Sequence, residues 1–324
     1  MSDRNSPTSR LVSRLRFSQL QLLVHVNQTG SLRAAASIVN LTQPALSRSL
    51  KELEAAFGFP VFARTSSGLV ATVEGASVIK GASLLLAELD HVRAEAVQAG
   101  EAKAVIRIGT HPFVSESYLP AVLATLTQGE QPVRVELQEG GVLSLFNGLD
   151  EGRLDAIISG NHLDIHQSAT SFKYETLFRA EYVLLAKAGS PFTRKASVPW
   201  KDLTDERWIL PARGALMRQM IDDWFIRNGL PPPKPILESE TPSVNIRMVA
   251  AGVGLSLVPV ASFDTERVHK GVGIVRATPK VPYFDVGLTF RTVSNPRVDL
   301  LRKVCFSNPT APWSRTKVKP PAQG

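Results

Sequence analysis

A chain of 324 residues with 44% apolar residues has material for two or three domains with their own cores. One cysteine, Cys305, excludes an internal disulfide and any multi-cysteine metal site, and fits a reducing compartment. No stretch reaches the ~18 apolar residues of a membrane span, and MSDRNSPTSRLVSRLRF lacks the continuous apolar run of a leader, so a cytoplasmic location without membrane contact is expected. Residues 1–70 hold 8 basic against 3 acidic residues and 302–324 hold 5 against none, while 101–301 balance at 22 each. The basic N-terminal part suits a polyanion, and the neutral middle suits a small ligand.

The first predicted element is a helix over residues 18–28, with Phe17, Leu20, Leu23, Val24 and Val26 as its apolar face, closed at Thr29-Gly30. Ser31 then caps a short helix in which Leu32, Ala35, Ala36 and Val39 share a face, ended by Asn40. Thr42 is the next N-cap, Pro44 sits in the first turn where its missing N–H costs nothing, and Leu46, Leu50, Leu53 and Phe57 form a buried stripe. Gln43, Ser47, Arg48 and Lys51 are left towards solvent, as a recognition helix leaves the side chains that enter the major groove. Periodicity alone equally fits a helical hairpin whose polar face meets only water. The neighbours decide it: the upstream helix can pack across the pair, and PVFARTSSGLVATVEG makes a hairpin about Ser66-Ser67-Gly68 that carries Arg64. Residues 15–73 therefore read as a winged helix-turn-helix that binds double-stranded DNA. Gln43, Ser47 and Arg48 are expected at or beside base edges and Ser31, Arg33 and Arg64 at phosphates, with Thr42, Pro44 and Lys51 completing the interface.

FSQLQLLVHVNQTGSLRAAA, LTQPALSRSLKELEAAFG, PVFART and the Thr72-Val73-Glu74-Gly75 step together resemble the LysR-type transcriptional regulators. The resemblance implies a multidomain α and α/β chain: a winged helix-turn-helix, a long linker helix, and a two-lobed effector-binding domain built like a periplasmic binding protein. It also implies a linker-helix dimer, a homotetramer and a bent promoter site. WILPARG and ESETPSVNIRMVAAG are similar to a subgroup of regulators associated with galactose-binding protein and the protocatechuate pathway.

Residues 74–100 are expected to be the linker. Within them Val78, Ala82, Leu85, Leu89, Val92 and Ala96 alternate steps of four and three, a seam suited to pairing with a second copy, with Val78, Leu85, Leu89 and Val92 as its core. A helix lying on its own domain would show the same spacing.

After Gly100, VIRIG, VRVELQE and LDAIISG alternate with helical runs, which argues for a parallel α/β sheet over 101–301. From the resemblance, lobe I is expected over about 101–161 and 269–301 and lobe II over about 162–268, with crossings near 161–170 and 266–273. Ligands sit beyond the carboxyl ends of such strands. The turns there supply Thr110, His111, Pro112, Phe113, Val114, Gly141, Val142, Asn161, Pro211, Arg213 and Thr241 as the expected effector site, although each alone fits a solvated loop. Arg213 and His111 can pair a carboxylate, so an acidic metabolite is favoured, with a sugar as the alternative.

No catalytic site and no cofactor is expected. His162 and His166 are four apart but lack a third ligand, Gly252-Val253-Gly254 precedes a strand instead of opening a helix, and there is no phosphate-loop or nucleophile-elbow motif. A ligand carrier would explain 101–301 but not 1–70. Residues 302–324, basic and proline-rich, read as a disordered tail.

Overall fold

The computed structural model describes residues 11, 15–66, 68–97, 104–129, 132–161, 171–263, 271–281, 283–293 and 295–307. His162, His166 and residues 308–324 lie outside them. The chain divides near residue 102 into two compact units, the first also taking in 150–153.

In the first unit, α1 (Phe17–Thr29), α2 (Leu32–Ile38) and α3 (Gln43–Phe57) pack around Leu23, Val26, Ala35, Ala36, Leu46 and Leu53. The turns are set by local chemistry. Gly30 closes α1 at φ 62, Ser31 Oγ accepts from Ala34 N at 3.4 Å, and Thr42 Oγ1 accepts from Ala45 N at 3.4 Å. Asn40 takes φ 53 between α2 and α3, a left-handed conformation that asparagine tolerates better than most residues. Phe17, expected on the buried face of α1, is 56% exposed. It begins the helix, and with Leu15, Leu20, Phe57, Ala82 and Leu85 it lines a groove of about 400 Å³.

The wing is the antiparallel pair β1 (Phe62–Thr65) and β2 (Gly68–Ala71), in register Phe62 to Ala71. Glu54 Oε1 accepts from the backbone N–H groups of Val61 (2.8 Å) and Phe62 (3.3 Å), and Leu69 N donates to Gly30 O at 2.8 Å, so the wing is tied to α3 and to the α1–α2 turn. Gly75 is required by close approach: a Cβ there would stand 1.9 Å from Val61 O. It opens α4 (Val73–Val97), whose Ile79 and Ala82 are buried in the winged-helix core.

In the second unit, a five-stranded sheet runs β4-β3-β5-β14-β6 through β3 (Val105–Thr110), β4 (Arg134–Glu139), β5 (Ala156–Gly160), β6 (Phe172–Ala180) and β14 (Phe284–Arg291). β3, β4 and β5 are parallel, whereas β14 is antiparallel to both its neighbours, so the sheet is mixed and not wholly parallel. The helices α5 (Pro112–Ser117), α6 (Leu119–Gln128), α7 (Val142–Asp150) and α11 (Pro296–Ser307) belong to this lobe. In the second lobe β7 (Tyr182–Lys187) lies between β11 (Ser256–Pro259) and β12 (Val272–Val275), β9 (Trp208–Leu210) pairs with β10 (Pro235–Glu238), and β8 (Val198–Pro199) pairs with β13 (Ala277–Thr278). This lobe also holds α8 (Pro191–Arg194), α9 (Leu216–Arg227) and α10 (Pro242–Ala251). Trp200, Trp208 and Phe225 form its aromatic centre, with centroids 5.4 to 6.4 Å apart.

Three expected boundaries move. β6 still belongs to the first sheet, so the outward crossing is at Glu181, not near 161–170. Lys173, Glu175 and Arg179 on this edge strand hide its strand pattern. β12 and β13 still pair within the second lobe, so the return lies between Thr278 and Phe284, not near 266–273. The C-terminal helix continues past residue 301 to Ser307, because Leu301 and Cys305 are both buried in the first lobe's core.

Candidate functional site

On the winged helix the exposed side chains follow from the buried ones. With Leu46, Leu50 and Leu53 fixed inwards, Gln43, Pro44, Arg48 and Lys51 are exposed on the N-terminal half of α3 and Ser47 is half-buried beside them. Arg33 on α2 and Arg64 on the wing are exposed. Ser31 and Thr42 hold the helix caps already described, so their hydroxyls have a structural duty beside any contact with DNA. A helix offering amide and guanidinium groups along one edge, flanked by cations on neighbouring elements, can read base edges while its flanks hold phosphates.

The linker seam divides. Val78 is partly buried against the winged-helix core and Ala82 fully so, whereas Leu85 (56%), Leu89 (46%) and Val92 (53%) remain exposed. Val78 therefore packs within its own domain, and the apolar surface available to another helix begins at Leu85.

The second unit holds a cavity of about 310 Å³ between its lobes. Several separate stretches build it. His111, Pro112 and Phe113 follow β3, Gly141 to Ser144 open α7, Pro211 to Ala215 (all but Arg213) lead into α9, Glu240 precedes and Pro242 opens α10, Tyr182 and Phe284 begin the strands at the crossings, and Leu257 and Pro259 are on β11. Arg218, buried beneath the α9 loop, donates through Nε to Asp222 at 2.9 Å and through Nη1 to Pro211 O at 3.3 Å, which fixes that wall. At one edge Ser243 Oγ donates to Glu116 Oε1 across the lobes at 2.8 Å.

Of the residues expected here, His111, Pro112, Phe113, Gly141, Val142 and Pro211 line the cavity. Thr110 does not: it is fully buried and its hydroxyl donates to Ile158 O at 2.9 Å, a bond between strands. Val114 is in the core of the first lobe, the face of α5 opposite the cleft. Asn161, Arg213 and Thr241 are not among the described lining residues; Arg213 is exposed while its neighbours Ala212 and Gly214 line the cavity. Burial pushes the His111 imidazole below its ordinary range, against an opposing hydrogen bond to the Gly140 backbone, so it is neutral at neutral pH. Neither cation expected to meet a carboxylate is thus in place as a cation. Tyr182, Leu257 and Phe284 on strands, Met217 and Asn245 in the first turns of α9 and α10, and Glu240 just before α10 also line the cavity without being among the expected residues, because their convergence follows only from the lobe topology.

Among the described residues no group of three His, Cys, Asp or Glu side chains could hold a metal ion, and no helix is long and apolar enough to cross a membrane.

The family model described as "Bacterial regulatory helix-turn-helix protein, lysR family" matches residues 17–76, and that described as "LysR substrate binding domain" matches 99–307. The chain belongs to the LysR family of transcriptional regulators. Members bind DNA and small-molecule effectors and oligomerise, and the family is not known for enzymes. The chain is 31% identical over 222 residues to the HTH-type transcriptional regulator GalR of Pseudomonas putida, a match covering 68% of this chain and 55%, about half, of that relative. It is 26% identical over 278 residues to the dual regulator OxyR of Escherichia coli, covering 86% and 90%. Among solved structures, a full-length OxyR variant of Pseudomonas aeruginosa aligns with TM-score 0.64 at 24% identity over 94% of this chain and 99% of that one. Full-length CbnR in complex with its target DNA aligns at 0.57 and 18% over 90% and 100%. At these identities the two structures bear on the fold alone.

Proposed function

We propose that this LysR-family regulator reads promoter DNA in the cytoplasm with Gln43, Ser47 and Arg48, pairs with a second copy through Leu85, Leu89 and Val92, and changes its promoter contacts when a small molecule fills the cleft between its lobes. The observation that carries the reading is the cavity of about 310 Å³, lined from both lobes by strand-to-helix turns, in a chain whose other unit presents a polar recognition face. A filled cleft favours one arrangement of the lobes by the difference in its affinity for the alternatives. A cysteine thiol would be a second route to regulation, through reaction with an oxidant. Cys305 does not support it, because it is the sole cysteine of the sequence, it is buried, and burial pushes its thiol up to about 12, leaving neither a thiolate nor a second sulfur for an in-chain bridge.

The test is a footprint of the intact chain on its own promoter region, with and without an extract of small metabolites, in the parent chain and in Met217→Trp, which fills the cleft. The reading expects a footprint that the extract alters in the parent chain only. Salt-independent retention on duplex DNA, or an extract response that survives Met217→Trp, would overturn it.

A further inference from the structure

The chemistry of the cleft selects among effectors, an inference that rests on the cleft being the effector site. Among the described lining residues the charged one is Glu240, while the body of the cavity is apolar, with Phe113, Tyr182 and Phe284 in its wall. Asn245 lines the same cavity and is only 4% exposed. Its Nδ2 donates to Ser239 O at 3.3 Å. A carbonyl can only accept, so the amide cannot be turned round, and Asn245 Oδ1 has no partner among the described residues. An acceptor left unpaired that deeply is costly, and a ligand hydrogen-bond donor would recover that cost.

The opposite wall is of the opposite kind. Gly141 to Ser144 open α7, and the first-turn N–H groups of a helix have no intrahelical acceptor. The cleft thus offers acceptors at Asn245 and Glu240 and donors at α7. A carboxylate only accepts, so it would leave Asn245 Oδ1 unpaired and face the Glu240 charge. An ammonium group only donates, so it would leave the α7 wall unmet. A hydroxyl does both. We infer that the effector is a neutral, hydroxyl-bearing ring, of the size of a monosaccharide or cyclic polyol, held by hydroxyls on Asn245 and Glu240 and by apolar contact with the aromatic residues.

Saturation-transfer NMR on the full chain tests this with two probe series at millimolar concentration: D-hexoses, inositol and cyclic diols, and the ring acids benzoate and cyclohexanecarboxylate. Transfer to members of the hydroxyl series is expected, with affinity falling about tenfold or more in Asn245→Leu and several-fold in Glu240→Gln. Because Asn245 is buried, circular dichroism checks the fold of its variant; should that variant not fold, the substitution at the exposed Glu240 decides the matter. Preferential binding of the acids, transfer to neither series, or hydroxyl binding unchanged by both substitutions would overturn the inference. Hydroxyl binding that persists in Met217→Trp would instead overturn the placement of the effector site.

Discussion

The two recognition surfaces are built on opposite principles. The winged helix presents its specificity outwards: small alanines and leucines pack three helices tightly, and what remains exposed on α3 is a row of polar and basic side chains. The cleft domain turns its surface inwards, where aromatic, proline and glycine residues form the wall and Asn245 and Glu240 stand as acceptors. The difference follows from the ligands. DNA is a large polyanion that a convex basic edge can grip through salt-dependent phosphate contacts, whereas a small molecule is held tightly only where its surface is enclosed.

The exposed face of α4, with Leu85, Leu89 and Val92, belongs to neither surface. Leu85→Glu with Leu89→Glu would set four carboxylates without partners at the interface between two copies, shifting the monomer–dimer equilibrium by about a hundredfold or more. Sedimentation or light scattering should then find a loss of the native mass. An unchanged mass and unchanged promoter affinity would show that the exposed face of α4 is a spacer and that pairing lies elsewhere.

On the recognition helix, Gln43→Ala and Arg48→Ala should each lose about 1–3 kcal/mol on the cognate promoter and less on unrelated duplexes. Arg33→Ala and Arg64→Ala should lower affinity on all sequences alike and flatten its dependence on salt. Fluorescence anisotropy at several salt concentrations separates the two patterns, and identical behaviour of all four variants would remove the division between base and phosphate contacts.

How much of each surface was legible in sequence follows from the same contrast. α3 is continuous, and Leu46, Leu50 and Leu53 at helical spacing fix which way Gln43 and Arg48 must point, so the reader is written in one unbroken stretch. The cleft is assembled from separate stretches of both lobes that the topology brings together. Turns after strands are recognisable in the sequence, and His111, Phe113, Gly141 and Pro211, which line the cavity, lie in them. Tyr182 and Phe284 are not legible in that way, because they flank crossings whose positions depend on β6 being an edge strand that looks polar and on β12 staying in the second lobe. Arg213 shows the remaining limit: its loop is in place, but only packing decides that Ala212 and Gly214 face the cavity while the guanidinium stays in solvent.

The inward surface carries a pH signature. His111 has its folded-state value pushed below its unfolded value of about 6.5, so below that pH the unfolded chain binds more protons than the folded one. The stability from the neutral imidazole is therefore complete above about pH 7 and is lost as pH falls through 6.5 towards the folded value. Thermal unfolding of the parent chain and of His111→Gln between pH 7.5 and 5 should show a steeper decline in the parent. Parallel pH profiles would mean that the imidazole titrates as it does in the unfolded chain, so that it becomes a cation in the cleft at mildly acidic pH.

The smallest effect expected is at the edge where the two lobes touch. Ser243 Oγ and Glu116 Oε1 are both on exposed residues, so the bond between them is worth about 1 kcal/mol or less to the folded chain, and Ser243→Ala should scarcely move the melting temperature. Its consequence lies in the equilibrium between lobe arrangements. A bond that spans the cleft exists only when the lobes are close, so removing it takes free energy from the closed arrangement alone and lowers effector affinity by a factor of up to about five. Glu116→Gln, which keeps an acceptor for the serine hydroxyl, should retain most of that affinity. If Ser243→Ala instead tightens effector binding, the contact belongs to the empty arrangement, and the ligand must break it in order to act.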